Sequence, residues 1–371
     1  MKNKKKLIIG IGIAVVLIAA VAMYMWAKYQ TYEHVEITKT YENNNKDNAN
    51  YISCLNGILR YSRDGVALLN KSGVEKWNQP CQMSHPIVEK GGESVIVADK
   101  GGTSIFVFRE KGLKGEIKTT RPIEKVAVSS QGIVCAILKD DTNPRVICYD
   151  AKGNILVEHK VSISSTGYPM DVALSEDGET LLVSYLRTDG KQLIGKYVYY
   201  NFGKKSENIK NHMVHESELE NTVIPVTAFL DKDTSLLVAD NALIFYKGLE
   251  NPKQDAKVSL KQEIQSVAYD KKIVAVVVRG EGVSAYQLHI YNTSGKELAN
   301  VDIDKEYGQM KVENNQVILY DGQMCGIYLK NGTKKFAGKM EGTILELFPL
   351  TGINRYMAID ANGFHEIGLK N

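Results

Sequence analysis

The densest run of metal-ligating side chains in this 371-residue chain is His212-Met213-Val214-His215-Glu216-Ser217-Glu218. Histidines at i and i+3 would meet on one helical turn and offer two imidazole nitrogens to a cation. A metal site also needs a third ligand and a supporting shell, and the surrounding segment 204–221 is polar throughout. The expectation is therefore a solvated excursion and no metal. Five cysteines, Cys54, Cys81, Cys135, Cys148 and Cys325, are odd in number and dispersed, which is not a disulfide framework. Cys135 and Cys148 flank the turn 140–143 at similar distances, so they are expected as cross-strand neighbours, two buried thiols acting as small hydrophobes. No nucleophile motif, Walker loop or His-Glu-x-x-His occurs. Gly91-Gly92 and Gly101-Gly102 read as turns, because strands and not helices follow them. No catalytic residue, cofactor or metal is expected, and the chain does not read as an enzyme.

A more regular feature is a recurring acid. Asp64, Asp99, Asp140 with Asp141, Asp189, Asp240, Glu281, Asp321 and Asp360 return through the sequence, several beside Arg63, Lys100, Arg187 or Arg279. An acid in a tight turn is ordinary hairpin chemistry, and turn formation accounts for most of these positions. Whether they form a surface depends on the elements that carry them.

Those elements are clearest over 123–161, which breaks into four short apolar runs rich in β-branched residues, each closed by a polar turn. Four strands in one meander make a propeller blade, and a blade needs neighbours to bury its faces. Similar units begin near Tyr51, Pro86, Ile123, Tyr168, Val223, Ile264, Tyr307 and Thr343. The expected fold is an all-β propeller of eight four-stranded blades; seven remain possible if the irregular region 203–221 is an insertion. The last unit supplies three strands, and residues 35–40, which alternate apolar and polar side chains, are the orphan strand that completes it and hides two sheet edges. The recurring acids then occupy the turn between second and third strands of every blade. Equivalent turns point to one face, so these residues form a charged rim.

The hairpin between third and fourth strands repeats most visibly, ending in Gly73, Gly153, Gly295 and Gly332, each expected at positive φ. Four residues on stand Trp77, Val157, Ala299 and Phe336, on the face expected to meet the next blade. Gly73-Val74-Glu75-Lys76-Trp77 resembles the Gly-x-x-x-Trp turn of the quinoprotein-like (PQQ-type), WD-repeat-like β-propeller superfamily, whose quinoprotein members also have eight blades. The resemblance covers hairpins across most of 50–371. That family's enzymes carry vicinal cysteines and a calcium-binding cluster over the pore, whereas no adjacent Cys pair stands here. The resemblance therefore implies the non-catalytic branch, membrane-attached scaffolding propellers and an uncharacterised group of anchored bacterial propellers, with no cofactor.

Residues 7–26 carry no charge, and at about 1.5 Å per residue they cross a hydrocarbon core of about 30 Å. Lys2, Lys4, Lys5 and Lys6 precede them, which keeps the N-terminus cytoplasmic by the positive-inside rule. The competing reading is a cleaved signal peptide with Ala20-Val21-Ala22 at the cut. The expected organisation is a basic tail over 1–6, a transmembrane helix over 7–27, a stalk over 28–34 and an extracytoplasmic propeller over 35–371. Without the five lysines of the first thirty residues the formal charge falls from +3 to −2, which gives no footprint for nucleic acid. The expected function is a single-pass, cell-membrane-anchored module that binds or scaffolds a protein partner of the envelope across the rim. The alternative is an enzyme or small-ligand sensor using the central pore.

Overall fold

The computed structural model describes residues 2–42, 49–280 and 284–371, with side chains from residue 11 onward. It contains eight four-stranded antiparallel sheets, the blades of an eight-bladed β-propeller, so the seven-bladed alternative is excluded. The chain divides into two compact units, one made of the N-terminal residues to Tyr41 with Tyr307–Asn371, the other Glu42–Glu306.

In the larger unit the first six blades open with the strands Asn50–Cys54, Pro86–Gly91, Ile123–Val128, Tyr168–Leu174, Val226–Phe229 and Ile264–Tyr269. Their second strands are the apolar heart. Val134–Leu138 and Thr234–Val238 are buried at every residue, whereas the fourth strand Glu75–Pro80 alternates exposed and half-buried positions. The gradient follows from stacking: a second strand is covered on both faces by neighbouring blades, and a fourth strand lies at the periphery. Cores accordingly run from blade to blade. Ile96, Val107 and Ile117 of the second blade pack with Val126, Val134 and Ala136 of the third. Each such buried Val or Ile side chain contributes about 1.5–3 kcal/mol.

The third and fourth strands of the first seven blades share one irregularity, a register shift just after the hairpin. Gly73, Gly153, Gly295 and Gly332 all have positive φ, as expected. The Trp77 ring stacks on Phe108 of the next blade at 5.1 Å, and its Nε1 donates to the Glu110 carbonyl at 2.9 Å. The blade-to-blade role expected of this position holds there.

In the smaller unit the seventh blade comprises Gln309–Glu313, Gln316–Asp321, Met324–Leu329 and Lys334–Lys339. The eighth comprises Glu346–Pro349, Arg355–Ile359 and Gly363–Lys370, completed by His34–Glu42 as the outermost strand. The N-terminal strand thus plays the part its sequence pattern indicates. A helix, Lys2–Tyr29, precedes it. Residues 31–33 are docked on the blades and not a free tether: Tyr32 N donates to Lys335 O at 2.8 Å, Glu33 N to Lys370 O at 3.0 Å, and the Tyr32 side chain is buried with Ile327, Phe336 and Tyr356.

Candidate functional site

Among the described residues the recurring acids do occupy the turns between second and third strands, but not as one set of free charges. Asp99 Oδ1 accepts from the Ser84 and His85 amides at 2.8 Å each. Asp140 Oδ1 caps its own turn through the Thr142 and Asn143 amides, while Oδ2 pairs with Arg121. Asp240 accepts from the Asn241 amide at 3.0 Å. Asp360 is buried and accepts from the Asn362 and Gly363 amides, with His365 Nε2 at 3.0 Å. Here the turn chemistry is what holds the carboxylates. Arg187 pairs with Glu218 at 2.9 Å and Asp189 at 3.5 Å, which raises its pKa, the Glu218 hydrogen bond contributing most. Arg63, Asp64, Lys100, Asp141, Arg279 and Asp321 are exposed. Glu281 lies outside the described residues.

The histidine cluster does not form. Residues 213–220 are the fourth strand of the fourth blade, Met213–Glu220, following a 3₁₀ turn at Lys210–His212, and not a solvated excursion. With strand geometry in place of a helical turn, the two rings part. His212 lies beside Phe202, 5.3 Å between centroids, while His215 packs with Tyr246 at 5.3 Å and Tyr199 at 5.8 Å. Burial lowers the His215 pKa. Among the described residues no group of three or more His, Cys, Asp or Glu could hold a metal. Cys135 and Cys148 are direct cross-strand partners, buried, with sulfurs 2.9 Å apart and both thiols free.

A different cluster is assembled by the first strands of the second to sixth blades, all within the larger unit. Asp171 is the hub. Its Oδ1 lies 3.4 Å from Lys125 Nζ, and its Oδ2 accepts from Thr227 N at 2.7 Å and Thr227 Oγ1 at 3.1 Å. Register breaks fall immediately before Lys125 and before Asp171, and such bulges re-aim side chains. The residue skipped in the third blade, Glu124, accepts instead from the Tyr168 hydroxyl. Burial raises the Asp171 pKa, with Lys125 and Thr227 opposing it. Glu89 is pushed up to about 7, first by burial and then by the Asp171 charge. Tyr269 is raised well above the usual phenol value by burial, Glu89 and Asp171. Glu89 and Tyr269 both reach solvent, so they face water from deep among protein atoms, not across an open surface.

The family model described as "Family of unknown function (DUF5711)" matches residues 28–369. The chain belongs to DUF5711. Among solved structures, BamB from Moraxella catarrhalis is similar to it with a TM-score of 0.54 at 11% identity, over 91% of this chain and 100% of that one. Hsv2 from Kluyveromyces lactis gives a TM-score of 0.48 at 8% identity, over 77% and 95%. The first likeness shows the fold alone, and the second carries no argument. No curated protein matches the chain.

The inner-strand cluster gives this DUF5711 chain a carboxyl that exchanges its proton near neutrality beside a fixed carboxylate, an ammonium and a phenol. That set can bind a small ligand bearing a positive charge or relay a proton. Reading the DUF5711 sequence for turn residues misses it. The available signal was charge inside a short strand, a single acid between apolar residues in Met170-Asp171-Val172 and an acid–lysine pair in Val88-Glu89-Lys90.

Proposed function

We propose that the chain is a single-pass membrane protein whose propeller lies outside the cell membrane and binds a protein partner of the envelope, without catalysis. One observation carries this reading. In the smaller unit the end of the helix lies against the turns at 314–316, 329–331 and 349–353. The second-to-third-strand turns of the same two blades, at Asp321 and Asp360, occupy the opposite strand ends, about 17–20 Å away. In these two blades the turns at Asp321 and Asp360 therefore point away from the anchor and towards whatever approaches from outside.

Two further facts support it. Ile11–Tyr29 is long and apolar enough to span a membrane, and none of that segment is buried against protein. Val16 and Ile18 are each 68% exposed, a surface that lipid and not water suits. Arg63, Lys100 and Arg279 are exposed and form no salt bridge among the described residues. Charges of this kind orient a partner more than they tighten it.

The test is in-cell crosslinking with Arg63→Glu, Lys100→Glu and Arg279→Glu combined. The variant should remain in the membrane fraction, melt at nearly the same temperature and lose its captured neighbours. Recovery of the same neighbours in the same yield would sink the rim as a docking face. The cluster of Glu89, Lys125, Asp171 and Tyr269 favours a second reading, in which the propeller senses a small cationic ligand at its inner strands.

A further inference from the structure

Lys335 is a lysine in the wrong place for a lysine. It is the extra residue of the seventh blade's register shift, since Ile327 pairs with Phe336 and Tyr328 with Lys334. The corresponding extra residue is Lys76 in the first blade and Leu156 in the third, and both are exposed. Lys335 is only 1% exposed. What covers it is the segment joining helix to propeller: Thr31 Oγ1 donates to Lys334 O at 2.7 Å and Tyr32 N to Lys335 O at 2.8 Å.

Among the described residues the buried ammonium pairs with no carboxylate. Its Nζ donates to the Ile353 carbonyl and lies 5.7 Å from the centre of the Tyr356 ring. Burial, with the neighbouring Lys28 ammonium second, lowers its pKa to about 8, so it stays charged at neutral pH. A buried cation without a counter-ion is costly, and native structures pair or neutralise such groups. Here the pairing is incomplete.

Lys335 opens onto a cavity of about 530 Å³. Lys28 and Lys330 line it as well, with no acidic residue in the lining. Asn314, Asn315 and Asn331 add amides. Gln316 Oε1 already accepts from the Tyr356 hydroxyl at 2.6 Å, which leaves its NH₂ to donate. Tyr24 and Tyr29 of the helix close the cavity on the remaining side. Three ammonium groups, amide donors and no carboxylate, in a chain whose remaining 341 residues after the first thirty are net acidic, make a receptor for an anion. Its position at the end of Ile11–Tyr29 places that anion at the depth of lipid headgroups.

We infer that this cavity binds the phosphate of an anionic phospholipid headgroup in the outer leaflet, with Lys335 as its buried counter-ion and Lys28 and Lys330 at its mouth. The inference rests on the membrane-spanning reading of the helix. The phosphate could equally be supplied by free inorganic phosphate, and the experiment separates the two.

The full chain is purified in mild detergent and examined by native mass spectrometry and thermal melting with added phosphatidylglycerol, phosphatidylcholine or inorganic phosphate. Wild type should retain phosphatidylglycerol and melt higher with it, with a smaller response to phosphatidylcholine. Lys335→Met keeps the side chain's length and removes its charge, so it should fold, melt no lower than wild type without lipid, and bind phosphatidylglycerol about tenfold more weakly. Lys28→Gln with Lys330→Gln should weaken binding without touching the buried position. Equal lipid retention by wild type and Lys335→Met would overturn the inference, as would full stabilisation by inorganic phosphate alone. The membrane reading fails separately: membrane-fraction protein that begins after Ala22 would refute a retained span, whatever the lipid assay shows.

Discussion

Replacing Glu89 by Gln should stabilise the protein at pH 8 and do little at pH 5. The carboxyl moves from its ordinary value of 4.5 to about 7 in the folded protein, through burial and the Asp171 charge. Below 4.5 it is protonated in both folded and unfolded chains and costs nothing. Between 4.5 and about 7 the folded chain holds the extra proton, so stability falls as pH rises through this window. Above it the folded state carries an unfavourable carboxylate in full. At about 1.36 kcal/mol per pH unit the whole interval corresponds to about 3 kcal/mol. Glu89 reaches water, however, and solvent screening reduces the realised cost to about 1 kcal/mol. With an unfolding entropy of about 2.1 cal/mol/K per residue, that is about 1–2 °C in melting temperature for a propeller of this size. Differential scanning calorimetry of wild type and Glu89→Gln at both pH values measures it, the difference between proteins cancelling the titration of groups not coupled to Glu89. An equal difference at pH 5 and pH 8 would refute the proton held at Glu89 and with it the electrostatic coupling to Asp171.

Arg187→Glu should lower the melting temperature where Arg63→Glu does not, because it sets a carboxylate against Glu218 and Asp189; equal melting of the two variants would show that the Arg187 pairs are screened. Deleting residues 35–40 should expose the edge of Gly363–Lys370 and cause aggregation, read by light scattering, and a monomeric deletion variant would show that the outermost strand is dispensable. Tyr32→Ala should cost about 3 kcal/mol, or about 4 °C, since its ring is buried in the core of the last two blades; melting unchanged from wild type would mean that the joining segment contributes no packing.

The fold was legible because its instructions are local and repeated. A glycine at positive φ, a side chain four residues on and an acid in the next turn are each decided within one hairpin, and the first, third, sixth and seventh blades repeat the glycine. The eighth blade needed one non-local step, the missing strand of the last unit matched to the unpaired strand 35–40, and period-two alternation sufficed for that. The histidines misled because spacing means nothing until the local geometry is known: i and i+3 converge on a helix and part in and beside a strand. Glu89, Lys125 and Asp171 lie on three different blades, and only rotation about a common axis makes them neighbours. What their strands show alone is charge set in short strands of largely apolar residues.

Lys335 is harder still. In Lys334-Lys335 nothing distinguishes one lysine from the other, and the corresponding residue is exposed in the first and third blades. Its burial is decided by Thr31 and Tyr32, about three hundred residues earlier, which reach it only because the N-terminal strand closes the eighth blade. The same connection that completes the sheet therefore brings the helix end, with Lys28 and its tyrosines, onto the buried ammonium. Closure of the last blade and formation of the cationic cavity are one structural event, and a chain that cannot seat its N-terminal strand cannot build the cavity either.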